Sequence, residues 1–383
     1  MSSSPEPSTS GLLPVDRGIL HDVVQNLTIS TLADGRSRKR SSVGEGPGGD
    51  ENGSTDTYTS YGWAFCRQAD IFIHVDAMVV EGIKKETEDT DDERQLSDKE
   101  RHTRQGWETL CQIIPNFRTQ MLGLTDQRCL RKKVCQQINE SRDGTRGDDT
   151  SALKGCIIDY LLVDTVASQA LGIKRKGLKG DRGWMHPVTA ELLSPIKYPA
   201  TQETYNDLNR GGKNARAGDF PRFLYPDGHI YNPDDIETGI LQGHLMLRVA
   251  KHILQGPTAA LAGAGFHRGR GGNASLMNLS GVTPNVIAYI AVQTRFALSS
   301  QSMWGKRDGL FDYQEFYWRI VSLFDDDEGQ DIIALYNYHV FGNPPPASAS
   351  ALANSELEPI TEESDYDKLK EQRAAKRARQ ATR

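Results

Sequence analysis

The residues best suited by type and spacing to do chemistry lie between Gly263 and Gly272, in the string Gly-Ala-Gly-Phe-His-Arg-Gly-Arg-Gly-Gly. Its glycines would let a backbone close around a phosphate, but a dinucleotide fingerprint needs a strand before it, and the segment that precedes reads as a helix. The Lys-Ser/Thr pair of a nucleotide-triphosphate loop is missing as well. What remains is a flexible loop carrying Arg268 and Arg270, near in sequence to Arg248 and Lys251 on the preceding helix. These four side chains are the candidate contacts to an RNA or DNA backbone, set against the simpler reading of a surface loop. Other chemistry is less well supported. His244 and His252 are eight residues apart, two helical turns, too far to hold one ion from one helix. His186 before Pro187 reads as a loop or packing residue, and Asp312 with Glu315 has the spacing of a helix cap rather than of an acid–base pair. Asp325 to Glu328 lacks the alternating ligands and the glycine of a calcium loop. No catalytic, cofactor-binding or metal-binding residue is therefore assigned.

The elements that would position these residues are helices. The stretch from Phe220 to Gly342 is the expected core. Within it, Ile236 to Gln255 places Leu241, Leu245, Val249 and Ile253 on one face and His244, Arg248, Lys251 and Gln255 on another, which predicts an apolar stripe inward and a basic stripe outward. Gly256 and Pro257 end it. Thr283 and Pro284 open the next helix, with Ile287, Ile290, Ala291, Thr294 and Leu298 inward. Capping-box spacing at Asp312 and Glu315 starts a third, carrying Phe316, Ile320 and Val321. The same spacing at Asp327 and Gln330 starts a fourth, which Gly342 and the following prolines stop.

Upstream, Trp63 to Ile83 reads as one long helix, apolar all round. Ser97 to Ile114 follows with a capping box at Ser97 and Glu100, and Thr125 to Asn139 makes a third helix. Ser141 to Asp149 is expected to be a polar loop, with Thr150 capping a helix that buries Cys156 to Ala170. Ile173 to Trp184 is a basic loop, and short helices fill His186 to Tyr225. The Pro226-Asp227-Gly228 turn is the expected place for a small hairpin. The expected fold class is mainly α: an irregular multi-helix domain over residues 58–342, with at most one short β-hairpin, a disordered tail over 1–57, and a linker with a basic tail over 343–383 whose apolar content is too low to pack.

Composition narrows the class further. The 383 residues are 37% hydrophobic and 25% charged with a formal net charge of −6, which predicts neither a strongly basic nucleic-acid binder nor an acidic tail protein. Five cysteines, with no close pair, predict reduced thiols in an intracellular protein. No signal peptide and no membrane span are expected. Two short basic runs, Arg36, Arg38, Lys39 and Arg40 at one end and Lys376, Arg377 and Arg379 at the other, match nuclear-import sequences or solvated tails equally well.

Several strings in order resemble one known family: Gly147-Asp148-Asp149-Thr150, Gly183-Trp184-Met185-His186-Pro187, Phe220 to Tyr225, Gly239 to Ala260, Ala288 to Leu298, and Gly309-Leu310-Phe311 with Phe341-Gly342. Together they resemble a domain of unknown function found in proteins of mushroom-forming fungi, over roughly Tyr58 to Gly342. The resemblance implies a mostly helical domain and brings no activity, cofactor or site residue. The leading expectation is a non-enzymatic helical interaction or scaffold domain with an unidentified protein partner. The alternative is a nucleic-acid-associated nuclear protein. An unfamiliar enzyme would need His186, His244 or His252 gathered in a pocket with a carboxylate.

Overall fold

A computed structural model describes residues 23, 57–87, 96–263, 272–325, 329–343 and 364–381. Among these the chain forms fourteen α-helices, five 3-10 turns and one two-stranded antiparallel hairpin, so the fold is mainly α as its helix signals predict. The residues group into two compact units, one made of Met1–Cys66 and Ile73–Gly144, the other of Arg67–Phe72 and Thr145–Arg383.

The first unit contains α1 (Thr57–Gln68, to Cys66), α2 (Val75–Thr87), α3 (Asp98–Ile113), α4 (Phe117–Gly123) and the start of α5 (Arg128–Cys156). Both bonds of the Ser97–Glu100 capping box form at the head of α3. Helices α2 and α3 cross through glycines: a Cβ on Gly82 would run into the Trp107 indole, and one on Gly106 would lie 2.6 Å from the Met78 sulfur. Trp107 packs on Phe117 at 5.7 Å, with Leu110 and Met121 buried beside them.

Two upstream expectations are corrected. The single helix over Trp63 to Ile83 is broken between Gln68 and Val75, because the Asp70 carboxylate accepts from the Phe72 amide and from Trp318 Nε1 (2.7 Å), a side-chain competitor for the helical ladder. The polar loop expected over Ser141 to Asp149 is instead helical, since α5 runs on to Cys156. Its polar side chains have buried partners. Asp149 holds Arg67 through two bonds of 2.7 and 2.8 Å and accepts from Tyr289 (2.8 Å), while Thr150 donates to Gln293 (3.0 Å) rather than capping a new helix. The helix expected over Cys156 to Ala170 shrinks to a 3-10 turn, Ile157–Tyr160, and α6 (Thr165–Gln169), capped by Asp164.

The second unit is built on α11 (Pro284–Leu298), which is buried at every position from Asn285 to Leu298. Thr283 caps it through the Val286 amide, as the Thr-Pro pair predicts. Around it stand α7 (Pro187–Leu193), α9 (His244–Leu254) and α12 (Tyr313–Val321), with α13 (Gln330–Phe341) against α9. The short helices α8 (Gln202–Arg210) and α10 (Asn273–Leu276) fill the connections, and α14 (Asp365–Ala381) closes the chain.

Helix α9 starts eight residues later than Ile236. Gly239 (φ 81°) and Leu241 (φ 61°) are left-handed, and a Cβ on Gly243 would sit 2.8 Å from the Tyr225 carbonyl, so 236–243 turn instead. No strand forms at Pro226-Asp227-Gly228. The hairpin lies at β1 (Arg307–Asp308) and β2 (Phe311–Asp312), across a Gly309-Leu310 turn in which only Gly309 (φ 60°) needs positive φ. Asp312 caps α12 through the Gln314 and Glu315 amides, but Glu315 turns to Arg319 (2.9 Å) instead of completing the box. Gly329 precedes α13, and Asp327 lies outside the described residues. The C-terminal segment is corrected too: α14 packs, with Leu369 buried near its start.

The Asp149 network and the Thr283 cap differ in expected weight. Removing one partner of a buried ion pair leaves a stranded charge, so Asp149→Ala should lower the unfolding free energy by about 3–5 kcal/mol. Thr283→Ala should lower it by about 1 kcal/mol. Urea denaturation of both variants against the unmodified chain measures the difference.

Candidate functional site

The basic residues of α9 do not face outward. Lys251 is 2% exposed, and its ammonium donates to the Ala262 and Gly263 carbonyls at 2.6 and 2.5 Å. Arg248 is half-buried and donates to the carbonyls of Tyr160 (3.1 Å), Leu162 and Val163 (2.7 Å), while Gln255 reaches the Val340 carbonyl. The expected outward basic stripe is thus turned onto loop carbonyls that no helix or strand ladder satisfies. Lys179 and Arg182, expected in a solvated basic loop, are each 1% exposed and donate to Phe296 and Ala297 at the C-terminal end of α11. That end carries unpaired carbonyls and partial negative charge, which suits two cations. Burial, with repulsion from Arg182 and Lys154, pulls the Lys179 ammonium down to about 7. Arg268 and Arg270 lie outside the described residues, as do Arg36, Arg38, Lys39 and Arg40. Lys376, Arg377 and Arg379 are exposed on α14.

Three stretches of the second unit converge on one cleft of about 80 Å³: the end of α7 with Glu191, the 222–229 segment with Arg222, Asp227 and His229, and the start of α9 with His244. His229 stacks on Tyr225 at 4.8 Å, and burial lowers its pKa. Burial and Arg248 lower that of His244, whose Nε2 lies 3.2 Å from the Leu161 carbonyl. Donation there leaves Nδ1 with the lone pair. The cleft thus combines two imidazoles that favour the neutral form with two exposed carboxylates. Its volume has room for several waters, the scale of a small polar molecule. His244 is weighed from the sequence as a possible ligand and Asp227 appears only in the Pro226-Asp227-Gly228 turn; Glu191, Arg222 and His229 are not singled out.

The other histidines are elsewhere. His186 Nδ1 accepts from the Val188 amide (3.3 Å) as the N-cap of α7, and His252 meets the Tyr160 hydroxyl at 3.0 Å in the interior. Of the three histidines an unfamiliar enzyme could use, His244 alone lies in a cleft with carboxylates, Glu191 and Asp227. No three His, Cys, Asp or Glu side chains among the described residues are grouped to hold a metal ion. No described helix is long and apolar enough to cross a membrane. All five cysteines are free thiols.

A surface feature that hydrophobic periodicity did not reveal lies on residues 299–312. Met303 and Leu310 are 83% and 64% exposed, and the half-buried Trp304 between them is fixed from below by Phe296 (5.1 Å), Tyr313 (5.8 Å) and Phe72 (6.2 Å). The Arg146 guanidinium lies 4.9 Å from the Trp304 ring centre. Exposed Lys306 and Arg307 flank the patch in sequence.

With this helical architecture in view, the chain belongs to a family of unknown function, DUF6698, whose model matches residues 140–341. The match starts within α5 rather than near Tyr58 and takes in the cleft and the 299–312 patch. No curated protein and no solved structure matches the chain.

The buried His252 makes one pH dependence measurable. Burial lowers its pKa from 6.5 to about 4, so the neutral ring is favoured in the fold. Its contribution is fully present above the ordinary value and is lost as pH falls through the lowered one. Unfolding free energies measured in urea between pH 6.5 and pH 4 should therefore fall less steeply for His252→Gln than for the unmodified chain. Parallel slopes would contradict the assignment.

Proposed function

We propose that this chain is a non-enzymatic helical interaction domain of fungal origin, working inside the cell and in the nucleus, that holds a protein partner through Met303, Trp304 and Leu310. The observation that carries the reading is the exposure of Met303 and Leu310 in the same short segment as a tryptophan already packed on Phe296, Tyr313 and Phe72. Large side chains fixed before binding lose little entropy in a contact, and Trp, Met and Arg are the types enriched where protein partners meet. A scattered exposed leucine means little, whereas two exposed apolar groups and an anchored indole within one short segment make a usable patch. The nuclear element rests on Lys376, Arg377 and Arg379, which α14 presents to solvent.

A nucleic-acid contact is the second reading, favoured by the same three exposed cations. Arg248 and Lys251, which it also invokes, are engaged with backbone carbonyls, so it rests on α14 together with Arg268 and Arg270.

The test places a benzophenone amino acid at position 310 of the full-length chain and irradiates it in an extract of a mushroom-forming fungus. The reading predicts a discrete protein adduct that resists nuclease and disappears with Met303→Asp, while near-ultraviolet circular dichroism stays unchanged. A nuclease-sensitive adduct, or a protein adduct indifferent to Met303→Asp, would overturn it.

A further inference from the structure

Helix α14 is attached differently from the rest of the second unit. It buries one narrow stripe, Asp365, Leu369 and Arg373 at 0%, 1% and 3% exposure, four residues apart, and two of the three are charged. By contrast, α11 is buried all round. Apart from Leu369 and the half-buried Tyr366, over whose ring Arg319 lies at 4.5 Å, the hold on α14 is polar and falls largely on backbone groups of loops. Ser364 Oγ and the Tyr366 amide donate to the Gly218 carbonyl (2.9 and 3.1 Å). Asp365 accepts from the Phe220 amide (3.3 Å) and the Tyr231 hydroxyl (3.0 Å). Gln372 accepts from the Ile236 amide (3.1 Å) and donates to the Pro233 carbonyl (2.7 Å). Arg373 pairs with Glu237 (2.9 Å) and donates to the Leu323 carbonyl (2.5 Å).

We infer that the groove formed by Gly218 to Phe220, Tyr231 to Glu237 and Leu323 is a helix-docking site, and that α14 is its tethered, exchangeable ligand. While α14 sits there the groove is closed to any other helix. The occupant is defined by chemistry: a carboxylate, then a leucine four residues on, then Gln-Arg after one further turn. Water can replace polar bonds to loop backbone when the helix leaves, so this hold exchanges more readily than the all-round apolar packing of α11. This inference is independent of the hairpin patch.

The carboxylate end gives the hold a pH sense. Asp365 is buried beside the Lys197–Asp219 ion pair (2.7 Å), where one ammonium serves two carboxylates, with Tyr231 bonded to it and Tyr225 and Tyr198 nearby. Burial pushes Asp365 up to about 6, with Lys197 opposing and Asp219 adding to the rise. A carboxyl raised by docking favours the docked state fully below its ordinary value and loses that effect as pH climbs through the raised one. Release is therefore easier at pH 7.5 than at pH 5.5.

The experiment titrates a fluorescein-labelled peptide of residues 364–383 with the full-length chain and with its Leu369→Asp variant, reading anisotropy. Expelling the tethered helix frees the groove, so the peptide should bind the variant at least about 10-fold more tightly, and a peptide carrying Leu369→Asp should bind neither. Equal affinity for both chains, with the variant's thermal unfolding matching the unmodified chain, overturns the inference. Should the variant misfold, hydrogen exchange on the unmodified chain decides. After correction for the intrinsic chemical rate, α14 amides should exchange faster than those of α11, and faster at pH 7.5 than at pH 5.5. Protection of α14 equal to that of α11 overturns it.

Discussion

A mainly helical chain with long irregular connections leaves many backbone carbonyls without a ladder partner, and burying such a group unpaired costs about as much as losing a hydrogen bond. The structure depends on how this protein meets that constraint. Lysine and arginine side chains reach over loops and helix ends and donate to the orphaned oxygens. Lys179 and Arg182 do so at the end of α11, Arg248 on 160–163, Lys251 on 262–263, Arg222 on 196 and 198, and Arg142 on Ile73 in the first unit. These cations act as internal connectors. Their long apolar stems pack while the heads bond, which is why a lysine can be 2% exposed at position 251 without an acidic partner among the described residues.

Much of the buried positive charge is fixed on backbone and lends itself to holding the fold together rather than to meeting a phosphate, and some, as at Arg67 and Lys197, is paired with buried carboxylates. Lys376, Arg377 and Arg379 on α14, with Lys306 and Arg307, face solvent. The same division separates the elements. Helix α11 has a capped start, a cation-held end and the Asp149–Tyr289–Gln293 chain along one side. Helix α14 has one buried stripe and polar bonds to loops.

Local rules were legible in the sequence wherever the responsible groups are neighbours. The Ser97 box, the Thr283 cap, Asp312 at α12 and Gly342 after α13 are each set within four residues, and each forms. What the sequence concealed depended on distant partners. Ser141 to Asp149 looks like a loop until Arg67 and Tyr289 are placed beside Asp149, and Asp70 looks like one polar residue in an apolar run until Trp318 bonds to it. Periodicity put Lys251 and Arg248 on a polar face correctly. It had no means of saying that the polar face meets loop carbonyls instead of water. The cleft was hidden for the same reason, since Glu191, the Asp227 and His229 pair, and His244 come from three separate segments, and α14 was discounted because apolar content is a poor guide where side chains dock on backbone.

The most direct test of the connector role is the unfolding free energy of the full-length chain carrying Arg248→Met or Lys251→Met, each of which keeps an apolar stem and removes the donors. If these side chains satisfy buried carbonyls, each substitution should lower stability by about 1–3 kcal/mol in urea denaturation, with the fold retained by circular dichroism. Unchanged or increased stability in both variants would mean that the cations are incidental to the fold, and would contradict the account.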